Sequence, residues 1–278
     1  MRVQFVDVDG IKTRCLTAGR EGAYPLLLLH GYGGTADVWI RNIDALGRDF
    51  YVVAPDMISS GFTDLVDTGG RPPQQQGLVH LRRLADILGF KTFCPIGTSY
   101  GALLAALLYF DAPERVDRLV LNGSGTCFNK DDELVATLQR VLQTFLPVMQ
   151  EASIEGCRKS MQAQAYDPAS VPEEILPVMA TAYARPGMPH AWKIGLDGLM
   201  DIDAGKPFTV RPRLEQIKAE TLVVWGREDR GAIYASGVAG AKRMPRARLV
   251  TFEKCGHKPM FEYPDAYNAA LRDFLKPT

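Results

Sequence analysis

The sequence predicts an α/β fold with a mostly parallel, eight-stranded sheet flanked by helices and interrupted by a helical insertion. Three observations carry this. Short apolar runs alternate with longer amphipathic stretches up to Asn122 and again from Thr221. Between these blocks the pattern is helical, with no strand, so the core is assigned to residues 1–125 and 209–278 and the insertion to 126–208. The length, 278 residues, suits one large domain or one domain carrying an insertion, and 46% hydrophobic with 23% charged residues is an ordinary globular composition.

Residues 3–8 and 13–17 alternate like a half-exposed antiparallel pair, with Asp9-Gly10 as the turn. Residues 26–30 form a continuous apolar run ending at Gly31, the pattern of a strand buried on both faces. Runs 51–54, 93–96, 119–121 and 222–225 are similar, and 248–252 supplies the eighth strand. Helices are expected over 38–46, 75–88 and 100–110, with a last one after Pro259. Within the insertion, 134–146, 154–165, 173–184 and 191–199 read as helices broken apart by Pro147, Pro168, Pro186 and Pro189. Such a block belongs over the carboxyl edge of the sheet, where folds of this kind bind ligands. The alternative is a subdomain that only stabilises the core.

Composition narrows the function. Lysine plus arginine equals aspartate plus glutamate, 32 each, so no nucleic acid or anionic membrane is expected as a partner. The first seven residues lack the basic start and long apolar run of a secretory signal, and the run 26–29 is far too short to span a bilayer. Cys15, Cys94, Cys127, Cys157 and Cys255 are odd in number and scattered, with no C-x-x-C pair. A disulfide framework or metal site is therefore not expected, and a reducing cytoplasm is the expected home.

The chemistry centres on Gly97-Thr98-Ser99-Tyr100-Gly101, a G-x-S-x-G pattern with an apolar strand leading in and an Ala/Leu-rich helix leading out. A strand that turns abruptly into a helix exposes the serine at the helix start, where the Tyr100 amide can stabilise negative charge. A chance glycine–serine turn is the alternative, and the strand–turn–helix context argues against it. Serine needs a base. His257 lies in a loop after the last strand, whereas His30 suits a loop brace, His80 a surface position on a charged helix, and His190 ordinary exposure. Asp229, in Trp225-Gly226-Arg227-Glu228-Asp229 after the strand 221–224, is the orienting acid, with Glu228 as the backup. The glycine-rich turn His30-Gly31-Tyr32-Gly33-Gly34 can bring N–H groups close to a substrate oxygen, so the Tyr32 and Tyr100 amides are the expected oxyanion donors.

With these elements placed, the chain resembles the α/β-hydrolase superfamily over nearly its whole length. It is most similar to the branch of meta-cleavage-product hydrolases, which cleave carbon–carbon bonds in ring-opened aromatic metabolites. The resemblance rests on Pro55-Asp56-Met57, Gly61-Phe62-Thr63-Asp64, Arg115-Val116, Arg185-Pro186-Gly187 and the segment Trp225 to Asp229. It implies Ser99, Asp229 and His257 as the triad, Tyr32 and Tyr100 as amide donors, and the insertion as a lid. Gly31, Met179, Arg185 and Lys258 are the expected substrate contacts.

Three departures stand out. The oxyanion loop lacks the branch's longer glycine–proline form. Met179 aligns with a lid arginine that binds a dienoate carboxylate, and Lys258 replaces a tryptophan after the histidine. Because a methionine cannot neutralise a carboxylate, the departures favour an ester or lactone of a small, largely apolar acid, cleaved through an acyl-enzyme. Arg185 and Lys258 are the cations available as substitutes, which keeps C–C hydrolysis as the alternative. A slow-turnover small-molecule receptor is the reading from another class. No metal or organic cofactor is implied, a small-molecule substrate is the expected partner, and a homodimer is left open.

Overall fold

The computed structural model describes residues 1–67 and 71–276. Its sheet has eight strands in the order β1-β2-β4-β3-β5-β6-β7-β8. They are β1 (Arg2–Val8), β2 (Ile11–Ala18), β3 (Pro25–Leu29), β4 (Tyr51–Pro55), β5 (Cys94–Thr98), β6 (Arg118–Asn122), β7 (Glu220–Gly226) and β8 (Ala247–Phe252). β2 runs antiparallel to both β1 and β4, and every other pairing is parallel. Leu26 to Leu29 are fully buried, as are Val52, Val53, Leu119, Val120, Leu222 and Val223. The continuous apolar runs are therefore central strands covered by helices on both faces.

The antiparallel pair differs from the half-exposed ribbon expected. β1 alternates and turns through Asp9 (φ 53°) and Gly10 (φ 88°), but β2 is buried from Thr13 to Thr17. The cause is its second partner, β4, which makes β2 an interior strand. Helix α1 (Pro73–Ile87) packs against β1, and α2 (Tyr100–Asp111) leaves the end of β5. The helix expected over 38–46 is two short turns, Ala36–Trp39 and Ile43–Leu46. Asn42 separates them: its buried amide donates to the Met260 carbonyl and to Asn268 Oδ1, both at 2.9 Å, and its φ of −121° is not helical.

From Gly125 to Gln216 every regular element is helical. The larger ones are α3 (Asp131–Glu151), α4 (Ile154–Gln162), α5 (Leu176–Tyr183) and α6 (Met188–Met200). Two prolines act otherwise than expected. Pro147 lies inside α3 and the helix continues to a left-handed Ala152, with Leu138 and Met149 buried on one stripe to offset the lost hydrogen bond. Pro189 falls in the first turn of α6, where a missing N–H costs nothing. After β7 come α7 (Tyr234–Arg243) and, past β8, α8 (Pro264–Leu275). All five cysteines are free and buried. Among the described residues no helix is long and apolar enough to cross a membrane, and no cluster of His, Cys, Asp and Glu could hold a metal ion.

His80 is a correction. It is buried rather than at the surface, with Nε2 2.8 Å from Thr13 Oγ1, and so joins α1 to β2. Burial drives its pKa down to about 4, against the attraction of Asp9. The unfolded chain takes up a proton near pH 6.5 that the native state refuses until about pH 4, so this stability is complete above pH 6.5 and lost as pH falls through that window. The shift corresponds to about 3 kcal/mol. In urea melts, His80→Asn should lower stability at neutral pH yet flatten the decline between pH 6.5 and 4 by an amount of that order. An unchanged slope would show that His80 is not the group responsible.

Candidate active site

Three loops meet at the carboxyl ends of the parallel strands. The turn between β5 and α2 holds Ser99 at φ 54°, ψ −119°, a conformation costly for a side-chain-bearing residue. Sterics force the neighbouring glycines. A Cβ on Gly97 would lie 2.2 Å from the Gly101 carbonyl oxygen, and one on Gly101 would lie 2.3 Å from that of Leu29. The turn is tied down by Ser99 N donating to the Asn122 carbonyl (2.9 Å) and by Ser124 Oγ donating to the Ser99 carbonyl (2.8 Å). Asn122 in turn donates to the Gly97 carbonyl and accepts from the Tyr267 hydroxyl.

The loops after β7 and β8 are cross-bonded. Arg227 N donates to the Phe252 carbonyl and Glu228 N to the Cys255 carbonyl. This brings Asp229 Oδ2 within 2.8 Å of His257 Nδ1. The other oxygen, Oδ1, accepts from the Gly231 and Ala232 amides at 2.7 and 2.9 Å, so a fully buried carboxylate has all its partners. Gly123 and Gly231 pack against the pair, where a Cβ would come within 3.4 and 3.2 Å of His257 Nδ1. Glu228 faces elsewhere, accepting from the Cys255 amide at 2.9 Å.

The third loop follows β3. A Cβ on Gly31 would be 3.3 Å from Ser99 Cβ, which sets the loop directly against the serine. Among the described residues neither the Tyr32 nor the Tyr100 amide has a backbone acceptor. His30 is a brace: its Nε2 accepts from the Met57 amide (2.9 Å), so Nδ1 carries the proton and donates to the Gly31 carbonyl (2.8 Å). Burial lowers its pKa and keeps it neutral in this role. Asp56 accepts from the Ala36 and Phe62 amides and from Arg14, whose guanidinium also makes a two-pronged pair with Asp37.

Ser99, Tyr100, Gly31, Tyr32, His257 and Lys258 share one cavity, walled by Leu134, Leu138, Val141, Phe145 and Leu199 of the helical insertion. Met179 lines an adjoining cavity with Val38, Met161, Ile175 and Tyr183; Gly31, Tyr32, Phe145, Gln164 and Lys258 line both. Arg185 is not brought to either one. Its guanidinium donates to the carbonyls of Gly61 and Thr63, fixing the insertion to the loop after β4.

Sequence reasoning missed how tightly the insertion grips these loops. Tyr183 Oη donates to the Gly33 carbonyl (3.0 Å) and Tyr32 Oη to the Trp192 carbonyl (2.7 Å). His257 N donates to the Gln164 carbonyl (2.8 Å), while Glu262 accepts from both the Gly256 and Tyr166 amides. No local pattern announces such contacts, since those between the insertion and the loops join residues far apart in the chain. The tyrosines' polar tips on otherwise apolar segments are the one available hint.

The family model described as "Alpha/beta hydrolase family" matches residues 26–270. A 2-hydroxy-6-oxononadienedioate/2-hydroxy-6-oxononatrienedioate hydrolase of Paraburkholderia phymatum is 30% identical over 271 residues, 93% of this chain and 88% of that protein. A 2-hydroxy-6-oxo-6-phenylhexa-2,4-dienoate hydrolase of Comamonas testosteroni is 30% identical over 90% of this chain and 87% of its own length. Among solved structures, a meta-cleavage product hydrolase from Pseudomonas fluorescens superimposes with a TM-score of 0.79 at 26% identity, covering 98% of this chain and 96% of that one.

Asp229 and Glu228 make a decisive pair of variants. Asp229→Asn should reduce turnover of any substrate by about a thousandfold or more, because the amide no longer selects the Nδ1-protonated imidazole. Glu228→Gln keeps an oxygen for the Cys255 amide and should change turnover little. Steady-state kinetics with the reverse ranking would transfer the acid role to Glu228.

Proposed function

Because the chain belongs to the α/β-hydrolase family, we propose that it hydrolyses the C–C bond beside a ketone in a ring-opened aromatic metabolite, using Ser99, His257 and Asp229. The observation that carries the machinery is the Asp229–His257 hydrogen bond facing the same cavity as the strained Ser99 turn. The choice of bond is supported by curated relatives at 30% identity that span nearly the whole chain and are named as dienoate or dienedioate hydrolases. Ester or lactone cleavage uses the same groups, and the apolar wall at Met179 is what favours it.

In this reading Ser99 Oγ attacks the ketone carbon as His257 Nε2 takes its proton, the step Asp229 supports by holding Nδ1–H. Among the described residues no hydrogen bond joins Ser99 to His257; such contacts tighten when substrate fills the site. The new oxyanion is held by the Tyr32 and Tyr100 amides, each worth about 3 to 4 kcal/mol of barrier. A simple carbanion is too poor a leaving group for the intermediate to collapse. The enol of a dienoate must therefore first ketonise, so that the departing electron pair delocalises into the conjugated acid. His257 gives its proton to the enolate oxygen that this electron pair reaches, leaving the hydroxydienoate, and water, deprotonated by the same imidazole, releases the acyl group from Ser99.

With 2-hydroxy-6-oxo-6-phenylhexa-2,4-dienoate the products are benzoate and a five-carbon hydroxydienoate. We expect benzoate release by the wild-type protein, abolished in Ser99→Ala, with a kcat/KM above that for aryl esters. Turnover of esters or lactones with no benzoate from the dienoate would overturn the C–C assignment and leave the ester reading.

A further inference from the structure

We propose that the Lys258 ammonium anchors a carboxylate of the substrate, so that the molecule attacked at Ser99 is an anion whose charged end enters the cavity walled by Met179. This deepens the reading above, on which its substrate class rests, but the residue is argued from its surroundings. Lys258 is buried, only 8% exposed, and lies where the two adjoining cavities meet. Among the described residues its ammonium has no hydrogen-bond or ion-pair partner. A charged group with this little access to water and no protein partner is costly, and long lysine side chains normally avoid it by reaching solvent.

The lining tells which ligand would relieve that cost. Neither cavity is lined by an aspartate or glutamate, and Lys258 is the one lysine or arginine on either. Lys258 is thus the cation at the cavity surface, with the carboxylates of Asp229 and Glu262 set back from the lining. One ammonium balances a monoanion, whereas a phosphate dianion would leave buried charge uncompensated. The apolar walls, Val38, Phe145, Met161, Ile175 and Met179, suit a hydrocarbon chain beside the carboxylate. Arg185, the other candidate cation, is fixed to the Gly61 and Thr63 carbonyls. Met179 therefore need not be a cation: the charge comes from the loop of the base rather than from the insertion.

Four ionisable groups bear on this ammonium: His30, held neutral beneath the oxyanion loop, the adjacent His257, and the carboxylates of Asp229 and Glu262. Burial outweighs the two carboxylates and lowers the Lys258 pKa to about 8. Anion binding requires the protonated form. It should be full below pH 8 and weaken about tenfold per pH unit above it.

Calorimetric titration with sorbate, a dienoate monoanion, and with neutral sorbamide tests this without turnover. In wild type the acid should bind more tightly than the amide at about pH 7 and lose that advantage by about pH 9.5. Lys258→Met should reduce the acid-to-amide affinity ratio at least about 30-fold. Lys258→Arg should retain the ratio at the higher pH, because its charge does not titrate there. A wild-type ratio that is flat with pH, or one that survives in Lys258→Met, overturns the proposal, as does failure of sorbate to bind at neutral pH. If Lys258→Met does not fold, the wild-type pH series and Lys258→Arg decide. Failure to release benzoate from the phenyl dienoate bears on the C–C reading alone.

Discussion

At the Ser99 turn, backbone touches backbone. β3, β5 and α2 approach so closely that no side-chain carbon fits at Gly97 or Gly101. The strained φ of Ser99 is the price of that approach, of the order of 1 to 3 kcal/mol. It persists because the surroundings over-determine it: Asn122, Ser124 and Tyr267 fix the turn from the β6 side, and a fully buried sheet lies beneath. With the turn held, the loop after β3 has one place to lie, because Gly31 packs on Ser99 Cβ.

The other two loops follow from the same sheet. β7 and β8 lie side by side, and the bonds from Arg227 and Glu228 to the loop after β8 convert their spacing into the distance between Asp229 and His257. The buried Arg14–Asp37–Asp56 cluster does corresponding work under the oxyanion loop. Asp56 is fully buried, so losing Arg14 would strand its charge at a cost of about 3 to 5 kcal/mol.

Eight strands and their parallel arrangement were legible because a strand covered on both faces must be apolar throughout, and few other structures need that. The convergence of Asp229 and His257 on the cavity that Ser99 faces was legible because each residue follows a strand end and their chain order is restrictive. What failed was long-range. His80 looked like a surface residue because its helix is charged, yet the face it occupies is decided by β2. β2 looked half-exposed because β4, its second partner, is a distant segment. Asn42 breaks a helix through bonds to Met260 and Asn268, more than two hundred residues away. Arg185 was read as a substrate contact, although its partners are backbone carbonyls that no side-chain pattern reveals.

Lys258 was legible as a departure, but not in its consequence. Its position beside His257 couples two charges. In the proposed mechanism His257 accepts the Ser99 proton, so a second positive charge would form one residue from the ammonium, opposed by Asp229 alone among its hydrogen-bond partners. An anion seated on Lys258 as proposed would cancel the nearer charge at that moment, so the same ligand that relieves the buried lysine would also ease formation of the imidazolium. Gln164 holds the loop that carries both residues through its contact with the His257 amide, which ties this electrostatic coupling to the docked position of the insertion. Binding energy from a distant carboxylate would thereby be available where the proton moves, the use to which binding energy must be put if it is to raise kcat and not only lower KM.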